Sequence, residues 1–211
     1  MATAQHSQRD GAYGQHGELT PVDRFGVWLS GRAVRRHADL RDKRVGDFGC
    51  GYEAAFMRTA LDQVREAVLV DIVLAPDLQR HPKVRGIEGA LPESLHELET
   101  GSLDVVLCLS VLEHLSEPEQ MLSEIHRLLA PGGVALVNVP TWAGKRLLEL
   151  SAFRLRLSPA EEMEDHKRYY DPRDLWPLLV GAGFRPSGIR CRRHKFRLNT
   201  LAVCRKPAHP S

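Results

Sequence analysis

In the stretch VGDFGCGYEAAF, residues 45–56, Gly49 and Gly51 are followed by Ala54. That spacing satisfies the fingerprint G-x-G-x-x-G/A, in which a tight turn brings backbone close to a nucleotide. Asp71 lies about 20 residues further on, where the fingerprint wants a carboxylate for a ribose. Glycine lets the chain turn sharply, and the N–H groups of a following helix suit a polar or anionic ligand. A glycine turn between strand and helix is also, in many proteins, only a tight turn. Asp47 shifts the balance, because it stands two residues before the first glycine, at the mouth of a strand. A pyrophosphate there is repelled and a cationic amino group attracted. Glu53 adds negative charge where a diphosphate would rest, although a glutamate at a helix start is equally a partner of the helix dipole. Together the carboxylates favour a zwitterionic or cationic ligand over a nicotinamide dinucleotide.

The elements that must position these residues can be read from hydrophobic pattern. Phe25, Trp28, Leu29 and Val34 predict a helix over Pro21–Asp39, with a possible break at Gly31. Strands are expected at Arg44–Phe48, Ala67–Val70 closing on Asp71, Pro82–Ile87, Leu103–Leu109 and Val134–Val139. Helices are expected at Ala54–Val64 and Pro118–Leu129, with a helical turn at Leu91–Leu98. The second helix carries a stripe of Met121, Leu122, Ile125, Leu128 and Leu129 and is stopped by Pro131-Gly132-Gly133. Strand followed by helix, repeated, means a parallel sheet with right-handed crossovers. The end differs: a helix over Pro172–Ala182 closes on Gly183, then Pro186–Arg193 and Asn199–Arg205 read as strands with a short link. A short link permits only an antiparallel pair. The fold expected is therefore α/β and Rossmann-like, a doubly wound, mostly parallel seven-stranded sheet ending in an antiparallel C-terminal hairpin. Residues 1–18 are expected to form a flexible arm, 19–206 the domain, 141–170 an insertion on the substrate side, and 207–211 a tail.

Composition sets the outer limits. The chain has 211 residues, 43% of them hydrophobic, enough for one full core. Its 29 basic and 27 acidic residues leave a net charge of +2, which gives no whole-chain argument for nucleic acid. Cys50, Cys108, Cys191 and Cys204 show no C-x-x-C spacing, so no structural zinc is expected. Cys191 and Cys204 could face each other across the hairpin, but thiols are the default in a reducing compartment. No apolar run approaches a membrane span and the first residues lack a signal-peptide core, so a cytoplasmic protein is expected.

With these residues in view, the chain resembles the class I S-adenosylmethionine-dependent methyltransferases, in their ubiquinone-biosynthesis-like "type 11" branch. The family pattern D-x-G-x-G appears as Asp47-Phe48-Gly49-Cys50-Gly51, with Glu53 where a third glycine is usual. Asp71, within LVDI, matches the acidic residue that bonds both ribose hydroxyls, with Ile72 beside it. IEGALP stands where the family meets adenine, with Glu88 and Gly89 as the approximate match. LDVVLCLSVLEHL, residues 103–115, and LLAPGGVALVNVP, residues 128–140, resemble the fourth-strand and fifth-strand regions. The resemblance covers about residues 44–204. It implies S-adenosylmethionine as cofactor and a small-molecule methyl acceptor, with Leu109 and Ser110 meeting the methionine part. The family reaction is an in-line displacement at a methyl carbon, in which positioning matters most.

Candidates for the remaining chemistry lie at the carboxyl ends of the strands. Glu113 and His114 follow the fourth strand; His114 is a reserve base, or else it caps the turn and packs under the cofactor. DHKRYY, residues 165–170, offers His166 as a general base for an acceptor hydroxyl, worth about 10²–10⁴-fold in rate. The alternative for His166 is a local bond that holds a lid. Tyr169 and Tyr170 could wall a pocket. The insertion segment WAGKRLLELSAFRLRL, beginning at Trp142, reads as an amphipathic helix that covers the site, binds a partner or meets a membrane surface. Arg190, Arg192, Arg193, Lys195 and Arg197 form a basic stripe on the hairpin. It is accounted for by charges guarding an exposed strand, or more sharply by a phosphate-bearing lipid or nucleic acid. A nucleic-acid amino-methyltransferase would normally show N/D-P-P-Y/F where this chain has Leu109-Ser110-Val111-Leu112, so nucleic acid loses ground as substrate.

Overall fold

A computed structural model describes residues 12–15, 20–145 and 168–208. Seven strands form one sheet: β1 Arg44–Phe48, β2 Glu66–Asp71, β3 Val84–Glu88, β4 Leu103–Leu109, β5 Leu129–Pro140, β6 Ile189–His194 and β7 Asn199–Arg205. Their spatial order is β3-β2-β1-β4-β5-β7-β6. The first five run parallel, while β7 lies antiparallel between β5 and β6. This is the doubly wound sheet with a C-terminal hairpin that the pattern predicts. The order reverses at β1 and β4, so the crevice for a ligand opens above the carboxyl ends of those two strands.

Side chains alternate across the sheet and build a core on each face. Phe48, Val70, Val106, Cys108 and Val137 meet helix α4, Pro118–Leu128, and helix α5, Pro172–Gly181. Val45, Leu69, Val105, Leu107 and Leu136 meet helix α1, Pro21–His37, and two single-turn helices, α2 Ala55–Arg58 and α3 Pro76–Gln79. The stripe expected on α4 is buried along its length.

Helix α1 begins with a capping box: Asp23 N donates to Thr20 Oγ1 at 3.2 Å, and Thr20 N donates to Asp23 Oδ2 at 3.0 Å. The helix runs unbroken through Gly31. That glycine is required by packing, since a Cβ there would lie 2.8 Å from the ring of Phe56. The helix expected over Ala54–Val64 is instead the single turn α2 followed by tight turns. Thr59 Oγ1 donates to Phe56 O at 2.7 Å and Ala60 N to Met57 O at 2.8 Å, so three-residue closures replace the helical ladder. The apolar residues of this stretch are buried all the same, which is why the pattern looks helical. Strand β3 starts two residues later than expected. The turn expected at Pro131-Gly132-Gly133 lies within β5, whose pairing with β4 shifts between Leu103 and Val105. All four cysteines are free thiols, and Cys204 pairs with Ile189 while Cys191 pairs with Ala202.

Candidate functional site

The chain leaves β1 at Phe48 and turns through Gly49 and Gly51, at φ 71° and 76°. Only glycine holds such values without strain. Gly49 N donates to Val70 O at 2.7 Å, which ties the turn to β2. A Cβ on Gly49 would collide with Val111 just beyond β4, so this glycine serves close packing inside the protein. Above Gly51 sits the backbone of the N-terminal segment: Tyr52 N donates to Tyr13 O at 2.9 Å. Residues 12–15, part of the arm expected to be flexible, form a turn docked on the glycine loop, and Ala12 is buried. Nothing in the polar, glycine-rich sequence of this segment signals the docking.

Asp71 closes β2 and faces the same turn. Gly51 N donates to its Oδ2 at 2.7 Å and Ile72 N to its Oδ1 at 2.8 Å. These two bonds fix the orientation of the carboxylate. Asp47 is buried within β1, next to Asp71. Burial, and then the negative charge of Asp71, push its carboxyl up to about 7. The Cys50 thiol lies beside both and is driven upward by burial and by the same two charges. Two carboxylates that repel one another in a desolvated crevice are satisfied by a cation.

Glu53 belongs to a different arrangement from the one expected. Its carboxylate pairs with Arg58 at 2.6 Å, and Arg58 also grips Asp77 at 2.6 Å. Glu53 is thus neutralised on the outer side of the loop, and the negative field of the crevice comes from Asp47 and Asp71. With α2 only one turn long, it presents no helix N-terminus of useful length to the crevice either. Glu88 spans the far side: its Oε1 accepts from Leu74 N at 2.8 Å, while Gly89 N donates to Asp71 O at 2.9 Å. Glu88, Gly89, Ile72 and Asp71 therefore gather around one loop.

The end of β4 forms the opposite wall. Leu109 is half-buried, and Ser110 is held at φ 62° with its N–H on Asn138 O at 2.8 Å. A non-glycine residue in the left-handed region at the end of a central strand is a recurrent mark of a functional site. Asn138 in β5 is buried, and its Nδ2 donates to Ser110 Oγ at 3.4 Å. Its Oδ1 is buried without a hydrogen-bond partner. The sequence reading passed over Asn138, although a lone amide inside the apolar run of β5 was a usable signal. Glu113 and His114 follow in a short 3-10 turn, Leu112–His114, with Glu113 fully buried and His114 half-buried.

The insertion leaves and rejoins the sheet at one place. Tyr170 N donates to Pro140 O at 2.9 Å, and Thr200 Oγ1 donates to Tyr170 O at 2.7 Å. Trp142 and Tyr169 meet across this junction with ring centroids 5.5 Å apart. Lys145 lies over both rings, 5.7 Å and 5.3 Å from their centres. His166, and the expected amphipathic helix beyond residue 145, lie outside the described residues. Asp47, Gly49, Cys50, Gly51 and Asp71 line one part of the crevice, with Leu109 and Ser110 across the switch point. Trp142, Tyr169 and Tyr170 collect beyond β5. On the hairpin, Arg190, Arg192 and Arg193 are exposed on the edge strand β6, as charges guarding an edge should be. Lys195 departs from that stripe and turns inward.

A family profile described as a methyltransferase domain matches residues 23–186. Curated relatives include a ubiquinone biosynthesis O-methyltransferase of Xanthomonas oryzae pv. oryzae, 32% identical over 108 residues. That match covers 47% of this chain and 44% of the relative, so it spans less than half the relative's length. A protein of the same name from Neisseria meningitidis serogroup C is 26% identical over 180 residues, covering 80% of this chain and 74% of that one. Among solved structures, an S-adenosylmethionine-dependent methyltransferase from Archaeoglobus fulgidus superposes with a TM-score of 0.64 at 17% identity, over 85% of this chain and 94% of its own. The [4+2]-cyclase SpnF superposes with a TM-score of 0.65 at 16% identity, over 94% of this chain and 87% of its own. These two likenesses speak for the fold.

Proposed function

We propose that this chain, which belongs to the S-adenosylmethionine-dependent methyltransferase family, moves a methyl group to an oxygen or nitrogen of a small molecule such as a natural-product, sugar or lipid precursor. The carrying observation is the Asp47–Asp71 pair, in which burial and mutual repulsion raise Asp47 to about 7. The residues present fit the family's cofactor. Asp47 receives its ammonium group. Asp71, its two oxygens oriented by the N–H groups of Gly51 and Ile72, accepts its ribose hydroxyls. Glu88 and Gly89 border its adenine, Cys50 and Gly51 line the turn beneath it, and Leu109 and Ser110 meet its methionine part. When bound, S-adenosylmethionine supplies a methyl group that its sulfonium already makes electrophilic.

The chain's own task is then to hold an acceptor in line and remove its proton. Trp142, Tyr169 and Tyr170, with Glu113 behind them, wall the acceptor side and exclude water. His166 takes the acceptor's proton, with His114 in reserve. The names of the curated relatives favour oxygen as acceptor atom. The cytoplasm is the proposed compartment; no described helix is long and apolar enough to cross a membrane.

Calorimetric titration of the chain with S-adenosylhomocysteine and, separately, with NAD⁺ tests the reading. Saturable binding of the first, weakened about 100-fold by Asp71→Ala, is expected from the loss of charge-assisted hydrogen bonds. Binding of NAD⁺ alone would replace it with an oxidoreductase. Mass spectrometry of phenol and amine mixtures incubated with S-adenosylmethionine then reads the acceptor atom directly.

A further inference from the structure

The link between β6 and β7 is a turn of unusual hand. Lys195, Phe196 and Arg197 have φ of 45°, 56° and 70°, and none is glycine. L-residues enter this region against a steric penalty, and three in succession persist only where the surroundings impose it. The surroundings here are specific. Thr141, buried at the end of β5, donates from its N–H to Leu198 O at 2.9 Å and from Oγ1 to Arg197 O at 2.9 Å. Leu198 N donates to Lys195 O at 3.0 Å. His194, just before the turn, is half-buried beside the backbone of Leu29 in α1.

The winding sorts the three side chains. Phe196 is 78% exposed and Arg197 is exposed. Lys195 is folded back between α1 and the sheet, where a Cβ built on Gly26 would lie 3.9 Å from its Nζ. It lies in the field of Glu113, which is 1% exposed and stands three residues beyond Ser110. Burial lowers Lys195 from its ordinary value and Glu113 opposes the shift. A lysine at a hairpin tip ordinarily extends into water, whereas this one turns back toward α1 from a turn seated at the carboxyl end of β5, where Pro140 pairs with Asn199. Thr141 also accepts from Gly144 N at 3.0 Å, which joins this turn to the helical turn carrying Trp142 and Lys145. The turn that carries Lys195 therefore adjoins the cluster of Trp142, Tyr169 and Lys145, whereas the Gly49–Gly51 side gathers carboxylates.

We propose that Lys195 is a specificity-determining residue that receives an anionic group, carboxylate or phosphate, on a small aromatic acceptor. This rests on the methyltransferase reading and adds the class of acceptor to it. Its ammonium offers three donors for the acceptor and sits in the favourable field of Glu113. Trp142 and Tyr169 supply flat apolar walls for a ring.

The test uses the full chain saturated with S-adenosylhomocysteine, titrated with 4-hydroxybenzoate, 4-hydroxyphenyl phosphate and the neutral 4-hydroxybenzyl alcohol. At least one anion is expected to bind tenfold or more tighter than the alcohol, and the better of the two identifies carboxylate or phosphate as the group. Lys195→Met should erase that preference while leaving the affinity for S-adenosylhomocysteine unchanged, and Lys195→Arg should keep the preference. Equal binding of neutral and anionic probes, no binding of either anion, or an unaltered preference in Lys195→Met overturns the proposal. A Lys195→Met chain that melts earlier yet keeps its preference makes the lysine a structural ion-pair partner and overturns it as well. Should Lys195→Met fail to fold, loss of the preference in Lys195→Gln supports the proposal and its retention overturns it. Failure of S-adenosylhomocysteine to bind strikes instead at the methyltransferase reading itself.

Discussion

Two turns in this molecule run through the left-handed region and are built in opposite ways. The first, after β1, uses glycine at 49 and 51, where positive φ carries no steric penalty. The second, between β6 and β7, uses Lys195, Phe196 and Arg197, each against a penalty of about 1–2 kcal/mol. The first turn has no side chain to offer, so its work is done by backbone and by Asp47 and Asp71 on neighbouring strands. The second must keep a side chain, because Lys195 is what it delivers. Glycine is used where the backbone is the functional group, and strain is tolerated where a side chain is.

The contrast can be broken from either side. The largest expected effect is at the first turn. Gly49→Ala both forces L-geometry at φ 71° and drives a methyl group into Val111. A loss of about 3 kcal/mol, or roughly 10 °C in melting temperature, is expected by calorimetry.

Next comes the pH dependence of Asp47. Its folded value of about 7 exceeds its unfolded value of 3.8, so the folded chain binds this proton more tightly. That contribution is complete below about pH 4 and is lost as pH rises through 7. His37, His126 and His194, lowered chiefly by burial, act in the opposite sense, so the Asp47 share must be read against Asp47→Asn. Relative to wild type, the ligand-free Asn variant should gain about 2 kcal/mol between pH 5.5 and pH 8.

At the second turn, Thr141→Val removes both hydrogen bonds of a buried hydroxyl while keeping its shape. A loss of about 1.5 kcal/mol in urea unfolding is expected, with the Lys195 turn loosened. Smallest, and opposite in sign, is Phe196→Gly. The side chain is largely in water, so little packing is lost and the strain is relieved, for a gain of about 1 kcal/mol. A destabilised Phe196→Gly would show that the ring is held rather than displayed.

The same contrast explains what could be read from residues alone. The central strands β1, β2, β4 and β5 were visible because buried parallel strands are near-continuous apolar runs, and the terminal pair because its short link admits only an antiparallel hairpin. The glycine turn and Asp71 were visible because their spacing is local. The helix expected over Ala54–Val64 failed because one apolar pattern fits two backbones, and the buried residues there sit on tight turns. Glu53 was read either as charge facing the ligand or as a helix-dipole partner, and its pairing with Arg58, which also holds Asp77, appears only in the fold. Tyr13 over Gly51, Asn138 beside Ser110 and Lys195 facing Glu113 were missed for the same reason: each meets its partner across tens of residues. Fold likeness does not close that gap, since a [4+2]-cyclase shares the architecture as well as a methyltransferase does. What this chain does rests on its side chains in the crevice.

The most direct measurement is the affinity of S-adenosylhomocysteine as a function of pH, with proton exchange followed by calorimetry in buffers of different ionisation enthalpy. If an ammonium group docks on Asp47, binding at pH 6 should release close to one proton, and affinity should fall about tenfold for each pH unit below 7. Asp47→Asn should bind weakly and release none. A flat pH profile, or an Asn variant that binds as tightly as the wild type, would contradict the account.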